Sequence, residues 1–151
     1  MSEIKKFKTN VFTYKLVREK SRLPKVSVTS SRVVYEFVRP VFEDCMETNE
    51  RMVMIVLNQA NNVMGYKIIS EGGMTGTLVD VRLCLRYTLQ SGGVAAIFVH
   101  NHPSGALKPS QSDKTITKKL KESFALMDLQ VLDHLIITED SYLSFADEGI
   151  L

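Results

Sequence analysis

Three side chains able to bind a metal fall within fourteen residues: His100 and His102 in His100-Asn101-His102-Pro103, then Asp113 in Ser110-Gln111-Ser112-Asp113. The run before them, Val94-Ala95-Ala96-Ile97-Phe98-Val99, is short, apolar and partly β-branched, as a buried strand is. Side chains alternate along a strand, so His100 and His102 share one face and Asn101 points to the other. Residues two apart have Cα atoms roughly 6.6–6.8 Å apart, from which two imidazoles can meet one ion at about 2.0–2.1 Å from each nitrogen. Pro103 keeps His102 extended, and Ser104-Gly105 supplies a turn. Ser110 and Asp113 have the spacing of a helix start, with Asp113 in the first turn. Two histidines and one carboxylate leave a fourth tetrahedral position open, the arrangement of a hydrolytic zinc site.

Other readings of the same residues stand beside this one. Ser110 and Asp113 also read as a helix cap alone, and the histidine pair as two polar residues leaving a sheet. A His-Asn-His triplet invites a nuclease reading, although nuclease motifs of that kind spread their residues over a ββα element. Ser104 reads as a turn residue before it reads as a nucleophile.

Taken together, the spacing His-x-His-Pro, six residues, Ser-x-x-Asp resembles the JAMM metalloprotease signature. The longer string His100-Asn101-His102-Pro103-Ser104-Gly105, with Pro109-Ser110 and Asp113, is similar to the RadC-like branch of that superfamily. Gly76-Thr77, Leu132-Asp133-His134-Leu135 and Ser144-Phe145-Ala146 add to the likeness, which covers approximately residues 28–151.

The resemblance implies an α/β (α+β) fold with a JAMM/cytidine-deaminase-like sheet core flanked by helices. It divides the chain into a basic arm over 1–28 and a RadC-like JAMM (MPN) domain over 29–151. By the same resemblance His100, His102 and Asp113 are the Zn2+ ligands. Glu50, just before Arg51-Met52-Val53-Met54-Ile55-Val56-Leu57, is the general base, with Glu47 the alternative. Ser110 is the hydroxyl that steadies the oxyanion. The implied activity is that of a zinc metallopeptidase or isopeptidase on a peptide or protein substrate. The alternative is a DNA-repair or mobile-element protein whose domain is a non-catalytic or nucleic-acid-associated module. Asp133 and His134 read either as an outer hydrogen-bonding pair for the metal loop or as a satisfied structural pair.

Composition narrows the class. At 151 residues the chain suits one domain that buries about 68–70% of its unfolded surface. Its 44% hydrophobic and 24% charged residues are globular values and exclude extended disorder. Cys45 and Cys84 form no metal-type pair and read as buried free thiols. No apolar leader or 18-residue apolar run is present in the sequence, so a cytoplasmic protein without membrane contact is expected. Residues 1–30 carry eight Lys or Arg against Glu3 and Glu19, a net +6, while the rest has eleven basic and fifteen acidic residues, a net −4. Such an arm can associate weakly with nucleic acid. Many RadC-like proteins carry a helix-hairpin-helix module ahead of the domain; none is expected in these 151 residues, which weakens a DNA role. Only 38 residues follow Asp113, which disfavours the insertions of a deubiquitinase.

The elements that must position the site follow from periodicity. A loose segment with some strand character over 11–29 precedes a helix capped by Ser30-Ser31, with Val34, Phe37, Val38 and Val41 on one face and Pro40 ending or kinking it. Strands over 51–57 and 63–70 form a hairpin about Gln59-Ala60-Asn61-Asn62. Gly72-Gly73 and Gly76 make a loop. A helix over 78–90 presents Leu78, Val81, Leu85 and Leu89, and Gly92-Gly93 lead into the histidine strand. The helix after Ser110 turns Ile116, Leu120 and Phe124 inward, and strands over 130–138 and near 142–145 finish the domain.

Overall fold

A computed structural model describes residues 9–72 and 78–151. Its elements are α1 (Ser31–Val38), a 3-10 turn (Arg39–Phe42), β1 (Arg51–Leu57), β2 (Val63–Glu71), α2 (Val81–Ser91), β3 (Ala95–Asn101), α3 (Gln111–Ala125), β4 (Gln130–Ile137) and β5 (Tyr142–Ser144). The five strands form one mixed sheet in the order β2-β1-β3-β4-β5. β3 and β4 are parallel and joined through α3, as a parallel pair requires; every other pair is antiparallel.

β1 and β3 are buried along their whole length, so their apolar runs are continuous rather than alternating. Their side chains nevertheless sort by the period of two. Val53, Ile55, Leu57, Ile97 and Val99 pack with Val34, Phe37, Val38 and Phe42 on one face. Met52, Met54, Val56, Ala96 and Phe98 pack with Val81, Cys84, Leu120 and Phe124 on the other. Thus α1 covers one face of the sheet, and α2 with α3 covers the opposite face.

The helix boundaries have local causes. The Ser30 hydroxyl accepts from the Val33 amide to start α1, and Pro40 converts its continuation into a 3-10 turn. Asn61 takes a left-handed conformation in the β1–β2 hairpin, where the Asn58 side chain accepts from the amides of Ala60 and Asn62. Gly92, at φ 74°, closes α2, and Gly93 lies so close to the Val56 side chain that a Cβ would collide with it.

Two expectations are corrected. The helix expected over 78–90 begins at Val81, because the Asp80 carboxylate accepts from the Arg82 amide and caps it there. Its inward face is therefore Val81, Cys84 and Thr88 with Leu85 partly buried, while Leu78 and Leu89 are exposed. The strand character expected over 11–29 reduces to one bridge, Ser27 to Asn62, where Val63 donates to Val26 and Val28 donates to Asn61. Val11, Phe12, Tyr14 and Val17 of that arm are exposed. The loop residues Gly73 and Gly76 and the Gly76-Thr77 match lie outside the described residues. Cys45 and Cys84 are free and buried, as expected. Among the described residues, no helix is long and apolar enough to cross a membrane.

Candidate metal centre

The end of β3 carries the first candidate ligand. Met52 of β1 and Ile136 of β4 flank His100 in register, and His100 is 1% exposed. Its ring therefore projects from the middle of the sheet onto the face covered by α2 and α3. The chain continues one step beyond the strand, where the His102 amide donates to the Ile137 carbonyl. The Ser104-Gly105 turn then folds back. Gly105 sits at φ 78°, its amide donates to the His102 carbonyl, and the next carbonyl, that of Ala106, lies 2.7 Å from His102 Nδ1.

Asp113 arrives from the start of α3. The Ser110 hydroxyl accepts from the Asp113 amide at 3.1 Å, and Asp113 Oδ2 accepts from the Ser110 amide at 2.7 Å. This is a complete capping box. Asp113 is thus both the N3 half of the box and the candidate ligand, since the bond that closes the box also aims the carboxylate at the histidines. Asp113 Oδ1 lies 3.2 Å from His100 Nε2, and Oδ2 lies 3.5 Å from His102 Nε2.

The two Nε2 atoms are 2.9 Å apart. Around a tetrahedral ion with ligand distances of about 2.0–2.1 Å, neighbouring ligand atoms are roughly 3.3 Å apart. The observed separations bracket that value. The hydrogen-bond partners of the rings also fix where their lone pairs point. His102 Nδ1 faces a carbonyl and so must carry a proton, which leaves Nε2 bare in the neutral ring.

A longer chain does the same for His100. The Thr117 hydroxyl donates to the Asp113 carbonyl at 2.6 Å, so its oxygen accepts from His134 Nδ1 at 2.5 Å. His134 Nε2 is then an acceptor, and His100 Nδ1–H donates to it at 2.8 Å. With the rings neutral, two bare nitrogens would face each other across 2.9 Å beside a carboxylate, an arrangement that calls for a cation between them. The donor set and its spacing fit a zinc ion.

Charge is tuned to match. Burial opposes ionisation of Asp113, yet hydrogen bonding with His100 and His102, whose rings donate when protonated, and with Ser110 holds its carboxyl well below the ordinary range. The hydrogen bond to Asp113 raises the pKa of His102. Complete burial, followed by the charge of His100, drives His134 well below the ordinary histidine value. A neutral His134 is what the hydrogen-bond chain requires.

Glu50 completes the group. It lies immediately before β1, with Oε1 3.8 Å from His100 Nε2 and a side chain that is 12% exposed. Burial raises its pKa, against the opposing charges of His100 and His102. One potential ligand atom from each of Glu50, His100, His102 and Asp113 lies within 4.8 Å of all the others. Glu47, the alternative base, is exposed, and it is not part of this group. All four residues, with Ser110, line an open cleft of about 530 Å3 whose walls include Met52, Val79 and Ile116.

The Asp133-His134 pair divides between the two roles expected of it. His134 turns to the ligands, whereas Asp133 accepts from the Ser144 hydroxyl at 2.5 Å and the Ala146 amide at 3.0 Å, tying β4 to the C-terminal segment. Thr117 was not foreseen. Its place four residues after Asp113 is the available signal, since a threonine hydroxyl inside a helix reaches the carbonyl of residue i−4.

Comparison with known proteins identifies the family. Residues 28–150 match the sequence model of a family described as RadC-like JAB domain. A UPF0758 protein of Flavobacterium johnsoniae is 45% identical over 123 residues, covering 82% of this chain and 53% of that protein. A UPF0758 protein of Porphyromonas gingivalis is 37% identical over 126 residues, covering 83% and 55%. One of Symbiobacterium thermophilum is 34% identical over 129 residues, covering 85% and 54%. The chain spans about half the length of these curated relatives.

Proposed function

Since the chain belongs to the RadC-like JAB domain family, we propose that it is a zinc-dependent hydrolase of amide bonds, a metallopeptidase or isopeptidase. One observation carries the reading: two imidazole nitrogens and a carboxylate converge at tetrahedral separations, with a fourth, acidic group beside them in an open cleft. Zinc bound there would supply Lewis-acid polarisation of the substrate carbonyl and lower the pKa of a water to about 7.

The chain's own residues do the rest. Glu50 takes the proton of the attacking water at its carboxylate and returns it to the nitrogen of the leaving amine. Its burial raises its proton affinity, which suits both transfers. The Ser110 oxygen accepts from the Asp113 amide, so its own hydrogen is available to the carbonyl oxygen of the substrate as charge develops there. Met52, Val79 and Ile116 form an apolar wall that limits water around the reacting bond. No covalent nucleophile is needed.

The basic arm favours a second reading, a nucleic-acid-associated module, because its net +6 contrasts with the −4 of the remainder. The two are separated by assaying zinc content and cleavage of a mixed peptide library by mass spectrometry, beside duplex DNA binding at two salt concentrations. The hydrolase reading expects about one zinc per chain and peptide products that vanish in Glu50→Gln. Salt-sensitive DNA binding without any cleavage would favour the second.

A further inference from the structure

We propose that Asn101 is a positioning residue for Glu50: from the face of β3 opposite the histidines, it clamps the turn that delivers this carboxylate to the cleft. The inference rests on the reading of Glu50 as the base. Asn101 is fully buried and projects into the α1 side of the sheet, beside the apolar cluster that contains Cys45 and Met46. A buried amide is costly there unless its hydrogen-bonding capacity is used.

It is used almost entirely on one short segment. Asn101 Oδ1 accepts from the Arg51 amide at 2.8 Å, while Nδ2 donates toward the carbonyls of Cys45, Met46 and Asn49 at 3.2, 3.0 and 2.9 Å. Partners on both sides of Glu50 are therefore held by a single side chain. These partners also fix the orientation of the amide, with its oxygen toward the N–H and its nitrogen toward the three carbonyls. An aspartate cannot donate and a leucine can do neither.

The remaining anchors of Glu50 complete the frame. The Glu50 carbonyl accepts from the Gly72 amide at 2.9 Å. The Arg51 guanidinium binds Asp44 at 2.8 and 3.0 Å, Glu71 at 2.6 Å and the Val41 carbonyl, which pins the outer side of the same turn. Only the Glu50 side chain is left to enter the cleft. His100, Asn101 and His102 thus serve two tasks through strand alternation, two ligands on the front and the hold on the base at the back. Any displacement of the strand end carries both together, so the distance from base to ligands is preserved.

The test uses the full chain loaded with zinc or Co2+. Asn101→Asp keeps the acceptor for Arg51 and removes the donors; Asn101→Ser, with one shortened donor, replaces it should the aspartate fail to fold. Metal affinity should stay within about twofold, since the side chain touches no ligand. Amides over 45–51 should exchange roughly tenfold to hundredfold faster, with 53–57 and 95–99 unchanged. On any peptide the wild type cleaves, kcat should fall with KM steady. In the Co2+ protein, the visible bands should move as they do in Glu50→Gln.

Unchanged exchange over 45–51, or wild-type Co2+ bands in the variant, would overturn the proposal. So would metal loss with protection falling throughout β1 and β3, which would make Asn101 a general sheet residue. A wild type that holds zinc but cleaves nothing refutes the hydrolase reading, while the exchange and spectral readouts still decide the role of Asn101.

Discussion

His100, His102 and Asp113 stand on a strand end and a capped helix start, whereas Glu50 stands at the end of a turn. The first three owe their placement mainly to local bonds: the β1–β3 and β3–β4 ladders for His100, the amide bond to Ile137 and the Gly105 turn for His102, and the α3 capping box for Asp113. Glu50 owes its direction to side chains from elsewhere, chiefly Asn101 and the Arg51 cluster. A strand or helix end positions a ligand through its backbone. The turn's own backbone bonds, such as those from the Thr48 and Asn49 amides to the Cys45 carbonyl, stop short of Glu50, whose neighbours are held by buried side chains.

The two regions should therefore fail separately. The largest expected effect is on the ligand side: the double variant His100→Ala, His102→Ala should fall from about one zinc per chain to almost none, read by elemental analysis. Retention of stoichiometric zinc would dissolve the contrast altogether. On the other side, Glu50→Gln should keep its zinc and its unfolding midpoint but lose about 10²–10⁴ in hydrolysis, because an amide cannot accept the water proton. Loss of zinc in that variant would place Glu50 among the ligands instead.

Ser110→Ala tests a residue that belongs to both regions. It should cost on the order of 10²–10³ in rate if its hydroxyl serves the oxyanion, together with about 1 kcal/mol of stability from the lost cap, measured by denaturant unfolding. A stability loss without a rate loss would confine it to the cap. Thr117→Val should weaken zinc about 10–100-fold in a chelator competition, because His134 then lacks the acceptor that sets the His100 ring. The smallest effect is expected from removing residues 1–25, which lie ahead of the Ser27 bridge and the Ser30 cap. Zinc content and hydrolysis should not change. Duplex DNA binding should stay no tighter than roughly 10⁻⁴–10⁻⁶ M at physiological salt and weaken further on truncation, read by electrophoretic shift.

Much of the ligand side was legible because its signals are local. The apolar runs over β1 and β3, the Ser110-Asp113 box and the proline after His102 each act within a few residues. The helix before β3 was less so. Its stripe of leucines suggested Leu78 and Leu89 as inward, yet the Asp80 cap set a start that left both exposed. The arm misled in a similar way. Some strand character is expected over residues 11–29, but a strand needs a neighbour, and in that segment only Ser27 pairs among the described residues.

By itself, then, the sequence determined the candidate metal-binding residues, the cap and the order of elements, since these follow from residue type and spacing over short stretches. The tertiary structure decided which carboxylate faces the ligands, and that choice depends on the pairing of Met52 with His100 across two antiparallel strands. It also decided that His134 and Thr117, distant in the chain from His100, set the tautomer of that ring. Strand register and the packing of α3 on the sheet bring these groups within hydrogen-bonding distance, and both arise from the burial of the whole core.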